Sequence, residues 1–212
     1  MNSLFDWENI EKKIRELSAS GSGINQSKLL PYRDELMRLY PDIQFRPAAV
    51  LALLYPFENH IHTVFIRRKI YDGVHSGQIA FPGGKKEAGD QNLWQTALRE
   101  ASEELNIPSK EVKFLRRLTN IAVPVSAYMI TPFLGYITHR PEFKPQINEV
   151  EEIIEFPFIR LLKQPWKIKK KEFNGNYWPV YYLEVNGHHI WGATAMVIAE
   201  LRDLFGNMSL FS

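Results

Sequence analysis

Cysteine is absent from the 212-residue chain, which excludes disulfides, thiolate metal sites and a cysteine nucleophile. No segment approaches the roughly 18 uninterrupted apolar residues of a membrane span. Charged residues within the first dozen positions are unlike a secretory signal. Lys plus Arg number 26 and Asp plus Glu 24, so the net charge of +2 gives no reason to expect a nucleic acid partner. We therefore expect a cytoplasmic protein that does not bind membranes.

Hydrophobic periodicity divides the chain into an N-terminal helical segment, residues 1–45, and one main domain, residues 46–212. Apolar spacing predicts a helix at 5–18, and Pro31 suits the start of a second one. In the main domain, short runs rich in β-forming residues predict strands at 48–56, 61–68, 77–81, 111–121, 127–137, 178–185 and 188–192, with helices at 92–105 and 193–205. The stretch 150–158 is a mixture of apolar and acidic residues before a loop. Hairpins outnumber crossovers, so we expect an α+β fold in which a mixed sheet lies between helices.

The helix at 92–105 has an unusual acidic face. At about 100° per residue, Glu100, Glu103 and Glu104 lie opposite the apolar side that carries Leu98, and we expect them to point away from the core. A solvated amphipathic helix would explain this pattern. However, the glutamates come late in the helix, where the macrodipole disfavours negative charge, and only Arg99 compensates them. Carboxylate oxygens suit Mg²⁺ or Mn²⁺, which keep positions open for substrate phosphates.

A glycine pair precedes this helix. Gly83 and Gly84 follow a predicted strand and would let the backbone turn sharply and approach a ligand or metal. Two glycines alone indicate little, and neither GxxxxGK[ST] nor GxGxxG occurs. The informative feature is the order of strand, glycine pair, spacer and REASEE.

That order resembles the Nudix box, G-x5-E-x7-R-E-U-x-E-E-x-G-U, where U is aliphatic. Gly84 corresponds to its first glycine, and the segment 99–104 corresponds to its REUxEE core. Three positions depart from the pattern: Asp90 replaces the first glutamate, the following spacer has eight residues and not seven, and Asn106 replaces the late glycine. The first two fall in a loop, which absorbs an extra residue easily. Asn is the next-best residue to glycine for ending a helix.

A second resemblance lies upstream of the box. VFIRRKIYDGVHSGQIAFPGG is similar to the motif of the Nudix branch that hydrolyses coenzyme A, through Arg67, Gly77 and the FPGG segment 81–84. Arg68 replaces a serine and Gly73 replaces a second arginine of that motif, which weakens the assignment to coenzyme A but leaves diphosphate hydrolysis untouched. The similarity to the family spans roughly residues 46–205 and implies the Nudix fold, an α/β/α sandwich.

The resemblance implies a metal-dependent diphosphatase with assigned roles for several residues. Mg²⁺ or Mn²⁺ would be held by Glu100 and Glu104 with help from Glu103, and Arg99 would buttress these carboxylates. The catalytic base would be a glutamate of EVEEI, with Glu149 and Glu152 as candidates and Glu152 as the residue we select, although an acidic edge strand or turn explains either residue alone equally well. Gly83 and Gly84 would line the substrate site. Arg67 would contact a substrate phosphate, although a surface pair with a carboxylate is an equal alternative.

Three functions follow from this resemblance. The leading one is hydrolysis of coenzyme A to 3′,5′-ADP and 4′-phosphopantetheine. The second keeps the chemistry and changes the substrate to ADP-ribose, NADH or another nucleoside diphosphate derivative. The third is a silent nucleotide sensor, which the presence of all three helix glutamates disfavours. Many relatives form homodimers, and the N-terminal helices could serve that contact, but no residue here indicates it.

Two further features stay open between alternatives. The basic run KIKKKEF, 167–173, either steers an anionic substrate or forms a solvated hairpin or loop. Tyr128 and Trp191 either line a nucleotide pocket or pack in the core.

Overall fold

The computed structural model describes residues 5–16, 29, 37–173 and 175–206. Its helices are α1, Trp7–Glu16; α2, Leu93–Leu105; α3, Phe158–Lys163; and α4, Gly192–Phe205, with a 3-10 turn at Pro124–Ser126. The predicted helix after Pro31 falls largely outside the described residues. Among those residues, no helix combines the length and hydrophobicity that crossing a membrane requires.

Eight strands form one mixed sheet. They are β1, Arg46–Phe57; β2, His60–Arg68; β3, Ile79–Ala80; β4, Gly83–Lys85; β5, Lys113–Arg117; β6, Ile121–Val123; β7, Tyr128–Tyr136; and β8, Val150–Pro157. The central order is β3-β2-β1-β7-β5, with β4 on β1, β6 on β7 and β8 on β2. Strands β1 and β7 are parallel, and the remaining pairs are antiparallel.

Strand β1 lies at the centre of the fold because nearly all its residues are apolar, and alternate side chains face opposite layers. Leu51 and Leu53 pack with α2 on one face of the sheet. Ala52 and Leu54 pack on the other face, with α1 and α4. This is the predicted mixed sheet between helices.

The N-terminal helix packs directly on the main sheet. Trp7, Ile10 and Ile14 are buried in the same core cluster as α4. Trp7 stacks on Tyr136 at 4.7 Å between ring centroids, and the Tyr136 hydroxyl donates to Glu11 over 3.0 Å. The helix therefore completes one face of the sheet.

A second, smaller sheet was not predicted as a separate unit. It contains β9, Lys167–Phe173; β10, Asn176–Val185; and β11, His188–Trp191, all antiparallel. The basic run 167–173 is β9, the first strand of a hairpin. Its sheet packs through Leu183, Val185 and Ile190 against the α4 side of the core.

Tyr128 lies under the guanidinium of Arg46, 4.5 Å from the ring centroid.

Candidate active site

The glycine turn is pressed between β1 and α2. Gly83 and Gly84 pair with Val50 and Ala49 at the start of β4. Gly83 has φ +153°, and a Cβ there would lie 2.6 Å from the Cα of Val50. Only glycine fits such a close approach of two backbones, so the turn brings its main chain up against the acidic face of α2.

Helix α2 has defined caps at both ends. The Asn92 side chain accepts a hydrogen bond from the Gln95 N–H over 3.0 Å, which caps the N-terminus. Asn106 ends the helix in the left-handed conformation at φ 59°, as expected for the residue that replaces the late glycine. These caps fix which residues of the helix face the glycine turn.

Glu104 is buried, which corrects the prediction that all three glutamates point away from the core. Its side chain is only 1% exposed, because the glycine turn folds over this part of α2. Its Oε2 accepts from the Gly83 N–H over 2.8 Å, whereas Oε1 is buried without a hydrogen bond. Burial raises the pKa of Glu104 to about 8, against the opposing effects of Arg68 and the Gly83 N–H.

Glu100 lies against the second glycine of the turn. A Cβ on Gly84 would come within 2.5 Å of the Glu100 carboxyl carbon. Burial raises the pKa of Glu100, although the Arg99 guanidinium, 3.1 Å from its Oε1, favours the charged form. Glycine at position 84 therefore makes the room that the Glu100 carboxylate occupies.

Arg99 connects the acidic residues of the helix to the preceding loop. Its Nε donates to Asp90 over 3.0 Å, and its terminal nitrogens contact Glu103 at 2.9 Å and the Lys85 carbonyl at 3.0 Å. The hydrogen bond from Arg99 holds the pKa of Asp90 down at about 2. Arg99 is thus held by Asp90, Glu103 and the main chain of the loop, with Asp90 as its main partner.

Glu103 takes a different position from the other two glutamates. It is 57% exposed and is turned toward Arg99. Within the described ranges, no group of three or more His, Cys, Asp or Glu side chains is arranged to hold a metal ion. The pair that faces the glycine turn is Glu100 and Glu104, so a cation there would take further ligands from water and substrate, as Mg²⁺ commonly does.

The segment after β7 folds back onto the end of α2. Gln146 N–H donates to the Glu104 carbonyl over 2.9 Å, and Lys144 N–H donates to the Leu105 carbonyl over 3.1 Å. These bonds satisfy terminal helix carbonyls. They also hold Glu149 close enough that its charge raises the pKa of both Glu100 and Glu104.

The two candidate bases therefore differ in their surroundings. The charge of Glu149 raises the pKa of Glu100 and of Glu104. Glu152 lies on β8 and accepts a hydrogen bond from Arg67 Nε over 2.9 Å. Its other oxygen lies 3.2 Å from Nε2 of His188. Glu152 is thus engaged by Arg67 on the paired strand β2 and by His188 on β11 of the small sheet.

Arg68 is a site residue that sequence reasoning treated only as a departure from the upstream motif. Its guanidinium nitrogen lies 3.7 Å from Oε1 of Glu104, the oxygen without a hydrogen bond. Successive strand residues point to opposite faces. Because Arg67 pairs with Glu152, Arg68 points to the opposite face, where Glu104 is buried. The alternation of β2 could have predicted from the sequence that the two arginines face opposite sides.

The residues fit a divalent cation. Glu104 combines near-complete burial, an oxygen without a partner and a pKa raised to about 8, which together indicate a carboxylate short of positive charge. Glu100 beside it has the oxygen ligands that Mg²⁺ and Mn²⁺ prefer. Arg68 supplies only partial compensation at 3.7 Å.

Comparison with known proteins agrees with this geometry. The family model of the NUDIX domain matches residues 45–177. The chain belongs to the Nudix family. An uncharacterized Nudix hydrolase NudL of Pectobacterium atrosepticum is 35% identical over 169 residues, which cover 77% of this chain and 84% of the relative. The NudL of Photorhabdus laumondii is 34% identical over 60% of this chain and 68% of its own length.

Solved Nudix structures share the fold. RenU, a Nudix hydrolase of M. smegmatis, has a TM-score of 0.53 at 16% identity, covering 79% of this chain and 89% of that one. A MutT protein of Methanosarcina mazei has a TM-score of 0.51 at 12% identity, covering 79% and 99%. At these identities the structures establish the fold alone.

Membership of this family defines the general chemistry of the chain. It is a Nudix hydrolase acting on pyrophosphate bonds. Such hydrolases generally need divalent metal cations, in agreement with the fit of Glu100 and Glu104.

Proposed function

We propose that this Nudix hydrolase cleaves the diphosphate of coenzyme A or its derivatives, giving 3′,5′-ADP and 4′-phosphopantetheine, with Mg²⁺ or Mn²⁺. The observation that carries the diphosphatase chemistry is the pair of carboxylates against the glycine turn, the buried Glu104 and the partly buried Glu100. The substrate rests on the upstream residues Arg67 and Gly77 and on the FPGG segment.

In this proposal the metal-binding residues are Glu100 and Glu104. A bound divalent cation would neutralise diphosphate oxygens and favour ionisation of an attacking water. Arg99 contacts the Glu100 carboxylate at 3.1 Å and orients it. Glu103, on the exposed side of the helix, holds the Arg99 guanidinium in place. Asp90 anchors the same arginine in the loop.

We assign the catalytic base to Glu149 in preference to Glu152. A base must reach the attacking water, and Glu149 is the candidate whose charge acts on both Glu100 and Glu104. Its carboxylate would accept the proton of that water. Glu152 already accepts hydrogen bonds on both sides, and it serves better to orient Arg67.

Arg67 is proposed to contact a substrate phosphate. Its Nε is engaged by Glu152, and its terminal nitrogens form no hydrogen bond with a described residue. These planar donors suit phosphate oxygens. If Arg67→Ala leaves the KM for coenzyme A unchanged, this role is wrong.

Product analysis by chromatography tests the proposal. Purified protein is incubated with coenzyme A, ADP-ribose or NADH, each with Mg²⁺, Mn²⁺ or EDTA. We expect metal-dependent formation of 3′,5′-ADP from coenzyme A and much slower turnover of the other two. Faster turnover of ADP-ribose or NADH would keep the diphosphatase chemistry and remove coenzyme A as the preferred substrate.

A pair of variants tests the assignment of the base. Glu149→Gln should lower kcat by orders of magnitude, because it removes the proton acceptor. Glu152→Gln should mainly raise KM, because it loosens Arg67. The reverse pattern would return the role of base to Glu152.

A further inference from the structure

A cleft of about 390 Å³ opens between the segment that follows β2 and the small sheet. One wall is the segment from Ser76 to Ile79, and the other carries Lys171 on β9 and His188, His189 and Trp191 on β11. The cleft is separate from the glycine turn and has no role in the chemistry described above.

Lys171 gives the cleft a positive charge that no described carboxylate offsets. Its ammonium lies 3.5 Å from the centroid of the Trp191 ring, and it forms no ion pair with a described residue. Partial burial and the neighbouring Lys169 lower the pKa of Lys171. Glu152, the carboxylate that contacts His188 on this wall, is already engaged by Arg67.

The opposite wall offers hydrogen-bond donors. The Ser76 Oγ accepts from the Tyr71 N–H over 2.9 Å, which leaves its own hydroxyl proton available. His75 Nδ1 lies 3.2 Å from Oε1 of Gln78. The amide nitrogen of Gln78 is not used in this contact and remains available as a donor. Burial lowers the pKa of His75 most, and the charges of Arg68 and Lys171 lower it further. Both positive charges therefore lie near this wall.

We propose that the cleft binds a phosphomonoester of the substrate, distinct from the diphosphate that is cleaved. A phosphomonoester has three acceptor oxygens and close to two negative charges, which suit one ammonium flanked by hydroxyl and amide donors. A nucleobase is a poorer occupant, because Lys171 already covers a face of Trp191. The proposal rests on the proposed function, in which the nucleotide half of the substrate carries a third phosphate.

The cleft and the carboxylate site share structural elements. Ile79, at its edge, begins β3, and the chain then continues into the glycine turn. Arg68 lies 3.7 Å from Glu104 and its charge reaches His75. Glu152 similarly links Arg67 to His188 on the far wall. One nucleotide can therefore extend from the carboxylates into the cleft.

Calorimetric binding of adenosine 3′,5′-bisphosphate and of 5′-AMP, both with Mg²⁺, tests the site without turnover. The two ligands differ only in the additional phosphate. We expect wild-type protein to bind the bisphosphate about tenfold or more tightly, as a charge-assisted hydrogen bond predicts. Lys171→Ala should bring the ratio of the two affinities close to one, and Lys171→Arg should restore most of it.

Lys170→Ala is the matched control. Lys170 is an exposed lysine of the same strand, adjacent to Lys171 and therefore on the opposite face. It should keep the wild-type ratio, and a thermal melt should show that all variants remain folded. Equal wild-type affinities, or equal weakening of both ligands in Lys171→Ala, would overturn the proposal. A retained preference in a protein that does not hydrolyse coenzyme A would support the cleft and reject only the proposed substrate.

Discussion

Replacing Glu104 by glutamine removes a buried negative charge. The change should raise the free energy of unfolding of the metal-free protein and should weaken the binding of a divalent cation. The pKa of Glu104 rises from 4.5 to about 8 because the side chain is buried. Below about pH 4.5 the carboxyl is neutral in both folded and unfolded chains. Between about 4.5 and 8 the unfolded chain loses its proton first, so stability falls as pH rises, and above about 8 the loss is complete.

The size of the effect follows from that shift. At about 1.4 kcal/mol per pKa unit, the penalty above pH 8 is roughly 5 kcal/mol. The glutamine amide would accept from Gly83 as the carboxylate does, but its own buried N–H groups would lack partners, at a cost of roughly 1–3 kcal/mol. We therefore expect Glu104→Gln to stabilise the metal-free protein by about 2–4 kcal/mol at pH 8.5, or roughly 4–16 °C in Tm.

Thermal melts in EDTA at pH 5 and pH 8.5 measure this effect. At pH 5 only roughly 1 kcal/mol of the penalty has developed, so the variant should be no more stable than the wild type, and its advantage should appear and grow as the pH rises. With saturating Mg²⁺ the order should reverse, because only the wild type gains from binding the cation, and the variant should lose activity by orders of magnitude. Glu103→Gln, the same change on the exposed side of the helix, is the control and should show no such pH dependence. A variant less stable than wild type at pH 8.5 in EDTA would refute the reasoning.

Three further outcomes follow from the site and the core. Gly84→Ala should leave a folded protein with severely reduced activity, because its Cβ would reach within 2.5 Å of the Glu100 carboxyl group; kinetics and circular dichroism check this. Asp90→Asn should destabilise the protein by about 2 kcal/mol at pH 7, since the pKa of Asp90 is lowered from 3.8 to about 2. That difference should disappear as pH falls from about 4 to 2, and urea unfolding at several pH values measures it. Trp7→Ala should cost about 3–5 kcal/mol of stability without changing KM, because Trp7 is buried against Tyr136 far from the carboxylates; an altered KM would contradict that separation.

Local sequence patterns predicted the elements of the fold better than the contacts between them. The position of α2 follows from its apolar stripe and its Asn caps, both of which are local. The burial of Glu104 does not, because a helical wheel gives the direction of a side chain and not what covers it. Here the cover is the glycine turn, placed by pairing with β1.

The acidic segment 149–152 shows a second limit. The register of β2 on β8 shifts between Arg67 and Arg68, which pair with Glu152 and Val150. The extra residue, Glu151, lies on β8, so the alternation of β2 is intact while that of β8 is interrupted, and sequence spacing alone could not decide between Glu149 and Glu152. The small sheet was missed for a related reason, since the charged strand β9 has no apolar alternation to reveal its long-range packing.

The two adjacent glycines of the turn should behave differently in a mutational library scored for both abundance and activity. Gly83 lies against the backbone of β1, so its variants should be depleted already at the level of folded protein. The three heavy atoms nearest to a Cβ on Gly84 all belong to the carboxylate of Glu100, so its variants should accumulate normally and fail at turnover. Neighbouring positions with the same residue are thus under two separate selective pressures, one on folding and one on catalysis.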